Sequence, residues 1–233
     1  MTVATRWVEY ADRAEMAAAA VARILAAARE GIAARGRFDL VLAGGETPRE
    51  TYRRLAAVDA EWPAWRIWFG DERCVAPDDP ERNSRMADDS WLRHVPIPRA
   101  NVHPIAGELG AQRAATEYRT TLRDVGLFDC VLLGLGEDGH TASLFPGQPL
   151  GDAVDAPDAL PVFHAPKPPP ERVSLSAARL SRARGVLFLV AGSAKRDAIG
   201  RWRRGEDIPA RAIRPPAGVD VLLAEVRAPA EAG

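Results

Sequence analysis

The stretch Phe38-Asp-Leu-Val-Leu-Ala-Gly-Gly45, running on into Glu46-Thr-Pro-Arg-Glu50, decides how this chain folds. Its first six residues are apolar at all but one position, which is the composition of a strand buried on both faces. Two glycines then allow a sharp turn. A helix is predicted from Pro48 to about Ala57, with Thr47 as N-cap, Pro48 at the first helical position and Glu50 completing a capping box. A buried strand that turns tightly into a helix is half of a βαβ unit, and the alternation continues in both directions.

Upstream, residues 5–10 read as a strand, and Asp12 with Glu15 opens a helix to Arg35 whose buried face carries Val21, Ile24, Leu25, Ala28 and Ile32. Downstream, strands are predicted over 65–70, 128–134, 172–175, 185–191 and 219–224, and helices over 82–93, 111–124, 176–183 and 194–203. Residues 71–80 read as a loop. The stretch from Gly134 to the strand at 172 reads as irregular: six prolines between Pro157 and Pro170 exclude a helix or a central strand there. The expected fold is α/β, a Rossmann-like, mostly parallel sheet with helices on both faces, in a single domain over 1–233.

Composition narrows the function. The 233 residues are 47% apolar and 27% charged, enough for a proper core. Lys and Arg total 31 against 32 Asp and Glu, a net charge of −1 that gives no electrostatic reason to expect nucleic acid or an anionic membrane as partner. Any anionic ligand must be met by a local set of donors. Cys74 and Cys130 fit no metal-ligand spacing and read as free thiols of a reducing compartment. Glu9, Asp12 and Glu15 stand where a signal peptide would need its apolar core, and no run approaches the ~18 apolar residues of a membrane span. The expectation is a cytoplasmic monomer or homodimer. Among the basic residues only Lys167 and Lys195 are lysines, and the rest are arginines.

In such sheets ligands bind at the carboxyl ends of the strands, so the turns found there carry the chemistry. At Ala43-Gly-Gly-Glu-Thr-Pro48, close-approaching backbone and a helix start make Gly44, Gly45 and Thr47 a phosphate seat, although a capped turn that binds nothing has the same residues. Asp71-Glu-Arg73 offers acid/base and anion-binding groups, or a solvated ion pair. In Gly134-Leu-Gly-Glu-Asp-Gly-His-Thr-Ala-Ser143 the glycines 134, 136 and 139 spell the dinucleotide fingerprint. That fingerprint should open a helix, and Pro146 with the later prolines leaves no room for one. His140 in this turn, beside Asp138, suits a general base near neutral pH, and a packed loop histidine is the alternative. His94, His103 and His164 have no evident partner. Arg172, opening the strand after the proline loop, and Lys195, after Gly192-Ser193, complete the candidates.

Taken in order, these segments resemble the 6-phosphogluconolactonases, sugar-phosphate lactone hydrolases related to the glucosamine-6-phosphate deaminases. The resemblance runs from about residue 38 to 225 and rests on Gly44–Pro48, Asp71–Arg73 with Asn83-Ser84, Gly134–Pro146, Pro170–Leu175 and Gly192–Lys195. Its most specific part is Gly139-His-Thr-Ala-Ser-Leu-Phe-Pro146; the deaminase branch carries an Ile-Ala-Phe-Asn-Glu type of sequence after its histidine. The resemblance implies that Gly44, Gly45, Thr47, Arg172 and Lys195 hold a 6-phosphate and that His140 deprotonates water attacking the lactone carbonyl. It implies that Asp138 or Asp71 orients the imidazole and that Arg73 meets substrate or developing oxyanion. Neither metal nor organic cofactor is needed. The family's phosphate turn usually reads Ser-Gly-Gly-Ser-Thr-Pro; here Ala43 and Glu46 replace the serines. Two other readings stand beside this one. The first is a glucosamine-6-phosphate isomerase/deaminase with Asp71 as base at C2, which the sequence after His140 argues against. The second is a non-catalytic sugar-phosphate-binding domain, which the joint presence of Asp71, Asp138, His140, Arg172 and Lys195 argues against.

Overall fold

The computed structural model describes residues 4–226; residues 1–3 and 227–233 of the expected domain lie outside them. In chain order the elements are β1 (Thr5–Tyr10), α1 (Arg13–Arg35), β2 (Phe38–Leu42), α2 (Glu46–Leu55), β3 (Trp65–Phe69), β4 (Asp71–Arg73), α3 (Asn83–Ser90) and β5 (Val102–His103). They continue with α4 (Ala111–Leu122), β6 (Phe128–Leu133), β7 (Ala159–Val162), β8 (Arg172–Leu175), α5 (Ala177–Ser181), β9 (Ala183–Ala191), α6 (Arg196–Arg203) and β10 (Val219–Ala224). Seven strands form one sheet in the order β1-β10-β9-β6-β2-β3-β5, and every neighbouring pair is parallel. Every residue of β2 and of β6 is buried, as expected where both faces of a parallel sheet are covered. From β2 the chain winds one way through β3 and β5, whereas β6, β9, β10 and β1 lie on the other side. The strand order therefore reverses between β2 and β6, the position at which open α/β sheets leave a crevice for ligands.

Local chemistry explains the well-predicted elements. Asp12 accepts from the Glu15 backbone N–H at 2.8 Å while the Glu15 carboxylate accepts from Ala11 N–H at 2.8 Å, a reciprocal cap that starts α1. Gly36, at φ 70, closes the helix in the left-handed conformation. Below the sheet's amino end an aromatic cluster of Phe38, Trp62, Trp65 and Trp91 packs with ring centroids 4.7–5.8 Å apart.

Several expectations need correction. Residues 71–73, expected in a loop, form β4, and the proline-rich stretch, expected to be irregular, contains β7. Together with β8 they make a second, antiparallel sheet of order β4-β8-β7. Pro161 sits in β7, an edge strand, where a missing N–H costs no ladder bond. The chain passes from one sheet to the other at Gly70, whose N–H donates to Leu42 and whose carbonyl accepts from Leu175 N–H. Residues 172–175 are a strand as expected, but of this small sheet. The helix expected over 82–93 ends at Ser90 and gives way to a 3₁₀ turn over Leu92–His94. Helix α2 begins at Glu46 with Gly45 as N-cap, and no side chain caps it, so Thr47 does not serve as the cap.

Candidate active site

The β2–α2 turn, the β3–β4 junction, the turn after β6, the Lys167-Pro168 segment and the residues after β9 surround one cleft of about 330 Å³. Gly44, Gly45, Thr47, Asp71, Arg73, His140, Arg172 and Lys195 all line it. Asp138 does not, and stands behind His140. Among the predicted site residues it is the one without access to the cleft.

At the phosphate-seat end, the lack of a side-chain cap leaves the first N–H groups of α2 open toward the cleft, with the positive end of the helix dipole behind them. Gly44 is held by close approach: a Cβ there would lie 2.0 Å from Asn83 Oδ1. Glu46 lines the same cleft, and its side chain is 69% exposed and paired to Arg49 at 2.7 Å, which offsets its charge beside the seat. Across the cleft Lys195 approaches Glu137 only to 3.9 Å. Burial pulls the pKa of Lys195 down while the Glu137 carboxylate opposes that shift. Arg172 is buried and donates from Nε and Nη2 to the carbonyls of Lys167, Pro168 and Pro169 at 2.9–3.1 Å. Its guanidinium also lies 5.5 Å from the centroid of Phe145.

At the other end, the turn after β6 closes through Gly136 N–H to His140 O at 2.7 Å and Gly139 N–H to Gly136 O at 3.1 Å. This brings His140 Nδ1 to 2.5 Å from Asp138 Oδ1, and the same oxygen accepts from His140 N–H at 3.1 Å. Burial would raise the Asp138 carboxyl, but the His140 backbone N–H and imidazole outweigh it and hold it below the usual carboxylate range. An ionised carboxylate only accepts, so Nδ1 carries the ring proton and the lone pair is left on Nε2. Burial lowers the His140 pKa below 6.5, against the opposing pull of Asp138 and Asp71. Neutral His140 is therefore the form present at pH 7. Its ring packs on Phe145, 4.8 Å between centroids. Gly136 makes this arrangement fit: a Cβ there would sit 2.0 Å from His140 Nδ1.

Asp71 is engaged elsewhere. Its Oδ2 accepts from Ser143 Oγ at 2.6 Å, and its Oδ1 and backbone carbonyl accept from Asn83 Nδ2 at 3.1 and 3.0 Å. It acts on His140 only through space, so of the two carboxylates left open by the sequence, Asp138 is the one bonded to the imidazole. Arg73 donates from Nη1 to Glu81 O at 2.7 Å, whereas its buried Nε has no hydrogen-bond partner. Asn83, Phe145 and Lys167 also line the cleft, and sequence reasoning gave none of them a role. For Lys167 the scarcity of lysine was a usable signal. Among the described residues no group of three or more His, Cys, Asp or Glu side chains is arranged to hold a metal. Nor is any helix there long and apolar enough to cross a membrane. No helix follows the glycines 134, 136 and 139 before β7, so this turn lacks the helix start that the dinucleotide fingerprint requires.

Comparison with known proteins shows the family. The model of the family described as glucosamine-6-phosphate isomerases/6-phosphogluconolactonase matches residues 11–222. A 6-phosphogluconolactonase of Synechocystis is 39% identical over 80% of this chain and 81% of its own length. One of Mycobacterium tuberculosis is 36% identical over 85% of both. The crystal structure of a 6-phosphogluconolactonase from Thermotoga maritima superposes with a TM-score of 0.88 at 26% identity, covering 95% of this chain and 100% of that one. With that match over residues 11–222, the chain belongs to the glucosamine-6-phosphate isomerase/6-phosphogluconolactonase family.

Proposed function

We propose that this enzyme hydrolyses 6-phospho-D-glucono-1,5-lactone to 6-phosphogluconate, with His140 as the general base. Lactone hydrolysis accords with the names of the relatives at 36–39% identity. The observation that carries the choice of base is the 2.5 Å bond from His140 Nδ1 to Asp138, which commits the proton to Nδ1 and leaves Nε2 basic on a cleft-lining side chain.

The 6-phosphate sits on the open N–H groups at the start of α2, by Gly44, Gly45 and Thr47, with Arg172 and Lys195 as countercharges. This places the lactone carbonyl toward His140. Nε2 takes a proton from water as its oxygen bonds to C1, and the carbonyl π electrons move onto oxygen. Arg73, a cleft-lining cation, is the countercharge to that oxyanion. Collapse re-forms the carbonyl and breaks the C1–ring oxygen bond, and the imidazolium returns its proton to the departing alkoxide. Asp138, which does not reach the cleft, is a positioning residue: it fixes the tautomer and favours the transient imidazolium. The isomerase/deaminase alternative needs Asp71 as a free base, and both oxygens of that carboxylate are held by Ser143 and Asn83.

The test is hydrolysis of freshly generated lactone coupled to 6-phosphogluconate dehydrogenase, with spontaneous opening subtracted. The rate scales with enzyme and falls roughly 10²–10⁴-fold in His140→Ala, the usual worth of a general base. A folded His140→Ala at the wild-type rate removes His140 from this role. No rate above background removes the reaction.

A further inference from the structure

The chain has two lysines, and both line the same cleft. Lys195 follows β9 on the strand-end face, but Lys167 arrives by a different route, on the segment between β7 and β8. That segment is pinned from inside. Ala165 N–H donates to Pro170 O at 2.9 Å, and Arg172 gathers the carbonyls of Lys167, Pro168 and Pro169. Through Phe145, Arg172 also rests against the wall that supports His140. Lys167 is thus carried over the cleft by a buried anchor, not on a free loop.

The charge balance shows why a cation is wanted there. Arg172 spends Nε and Nη2 on the three carbonyls, so Nη1 alone remains for a ligand. Lys195 has its weak approach to Glu137. Among the described residues the Lys167 ammonium has no carboxylate within ion-pair distance, although its charge is felt at both His140 and Lys195. A phosphate dianion in this cleft gains from a further cation that no carboxylate occupies, and a lysine on a flexible stem serves as a point charge without the directional demands of a guanidinium.

We infer that Lys167 is a specificity-determining residue that contacts the phosphate of the substrate, placed over the cleft by the hydrogen bonds of Arg172 to the carbonyls of Lys167, Pro168 and Pro169. The inference rests on the lactonase reading, and it separates two places where Lys167 can act. A contact to phosphate favours phosphorylated substrate only. A contact to the developing oxyanion serves every lactone alike.

The experiment compares kcat/KM for 6-phospho-D-glucono-1,5-lactone and for unphosphorylated D-glucono-1,5-lactone in the wild type and in Lys167→Met, which keeps the stem and removes the charge. Lys167 is exposed, so the variant folds, and a thermal melt verifies this. The expected result is a fall of roughly 10–100-fold in the ratio of the two values, the usual worth of a charge-assisted contact. An unchanged ratio, whether both activities fall together or neither does, overturns the inference. A wild type with no preference for the phosphorylated lactone instead overturns the proposed function, and that outcome is read before any variant is made.

Discussion

Gly136→Ala tests the site through a residue that leaves room for the Asp138–His140 pair. A methyl group there would stand 2.0 Å from His140 Nδ1, 2.2 Å from Cε1 and 2.6 Å from Asp138 Oδ1. Ordinary contact between such atoms is about 3.5 Å, so the imidazole must retreat by roughly 1.5 Å or the turn must open. Either movement breaks the 2.5 Å bond that fixes the tautomer. A misplacement of about 1 Å in a catalytic group costs on the order of 10²-fold, so kcat should fall by at least that much. The phosphate seat lies on a different strand end, so KM should change by less than about threefold, as expected when only transition-state stabilisation is lost. The assay is steady-state lactone hydrolysis, with circular dichroism and 6-phosphogluconate binding by calorimetry to show an intact fold and seat. A folded Gly136→Ala with kcat within about threefold of wild type would refute the claim that the Asp138–His140 geometry is needed. Should this variant fail to fold, Asp138→Ala probes the same bond without adding volume.

Asp138→Ala also moves a pH profile. Burial sets the His140 pKa below 6.5 and the Asp138 carboxylate opposes that shift, so the acid limb of kcat/KM lies below pH 6.5 and moves lower still when the carboxylate is removed; a limb that moves upward contradicts the assignment of His140 as base. Glu72→Ala addresses stability. This fully buried carboxylate accepts the backbone N–H groups of Arg73, Asn83 and Ser84 at 2.8–2.9 Å and pairs with buried Arg82 at 3.4 Å. Breaking a buried pair of this kind costs about 3–5 kcal/mol, which lowers Tm by on the order of 10 °C in a chain of this size. A change of only a degree or two by calorimetry would show that α3 is held by other contacts.

Some features are written in short stretches of the chain. The buried strands β2, β6 and β9 are legible as apolar runs, and the start of α1 as a capping box, because each depends on neighbours a few positions away. His140 and Asp138 meet because they are two residues apart in one turn, and Gly136, two further back, leaves the space for it. The sheet class and the end of it that carries the ligand follow from the same local alternation.

Tertiary structure decided the rest. Strands β4 and β7 are short, and β7 contains a proline, so no periodicity announces them; they exist because Gly70 carries the chain out of one sheet and β8, about a hundred residues beyond β4, pairs with both. Thr47 had every local mark of an N-cap, yet the turn at Gly44 is set by its packing on Asn83 and leaves the helix start open. Asp71 looked like a partner for His140 until Ser143 and Asn83 were seen to occupy its oxygens. Lys167 reaches the cleft only because Arg172 gathers the carbonyls of its segment. Hydrogen bonds between buried groups far apart in sequence carry no repeat that a one-dimensional pattern can show, and they form only once the apolar core has brought those groups together.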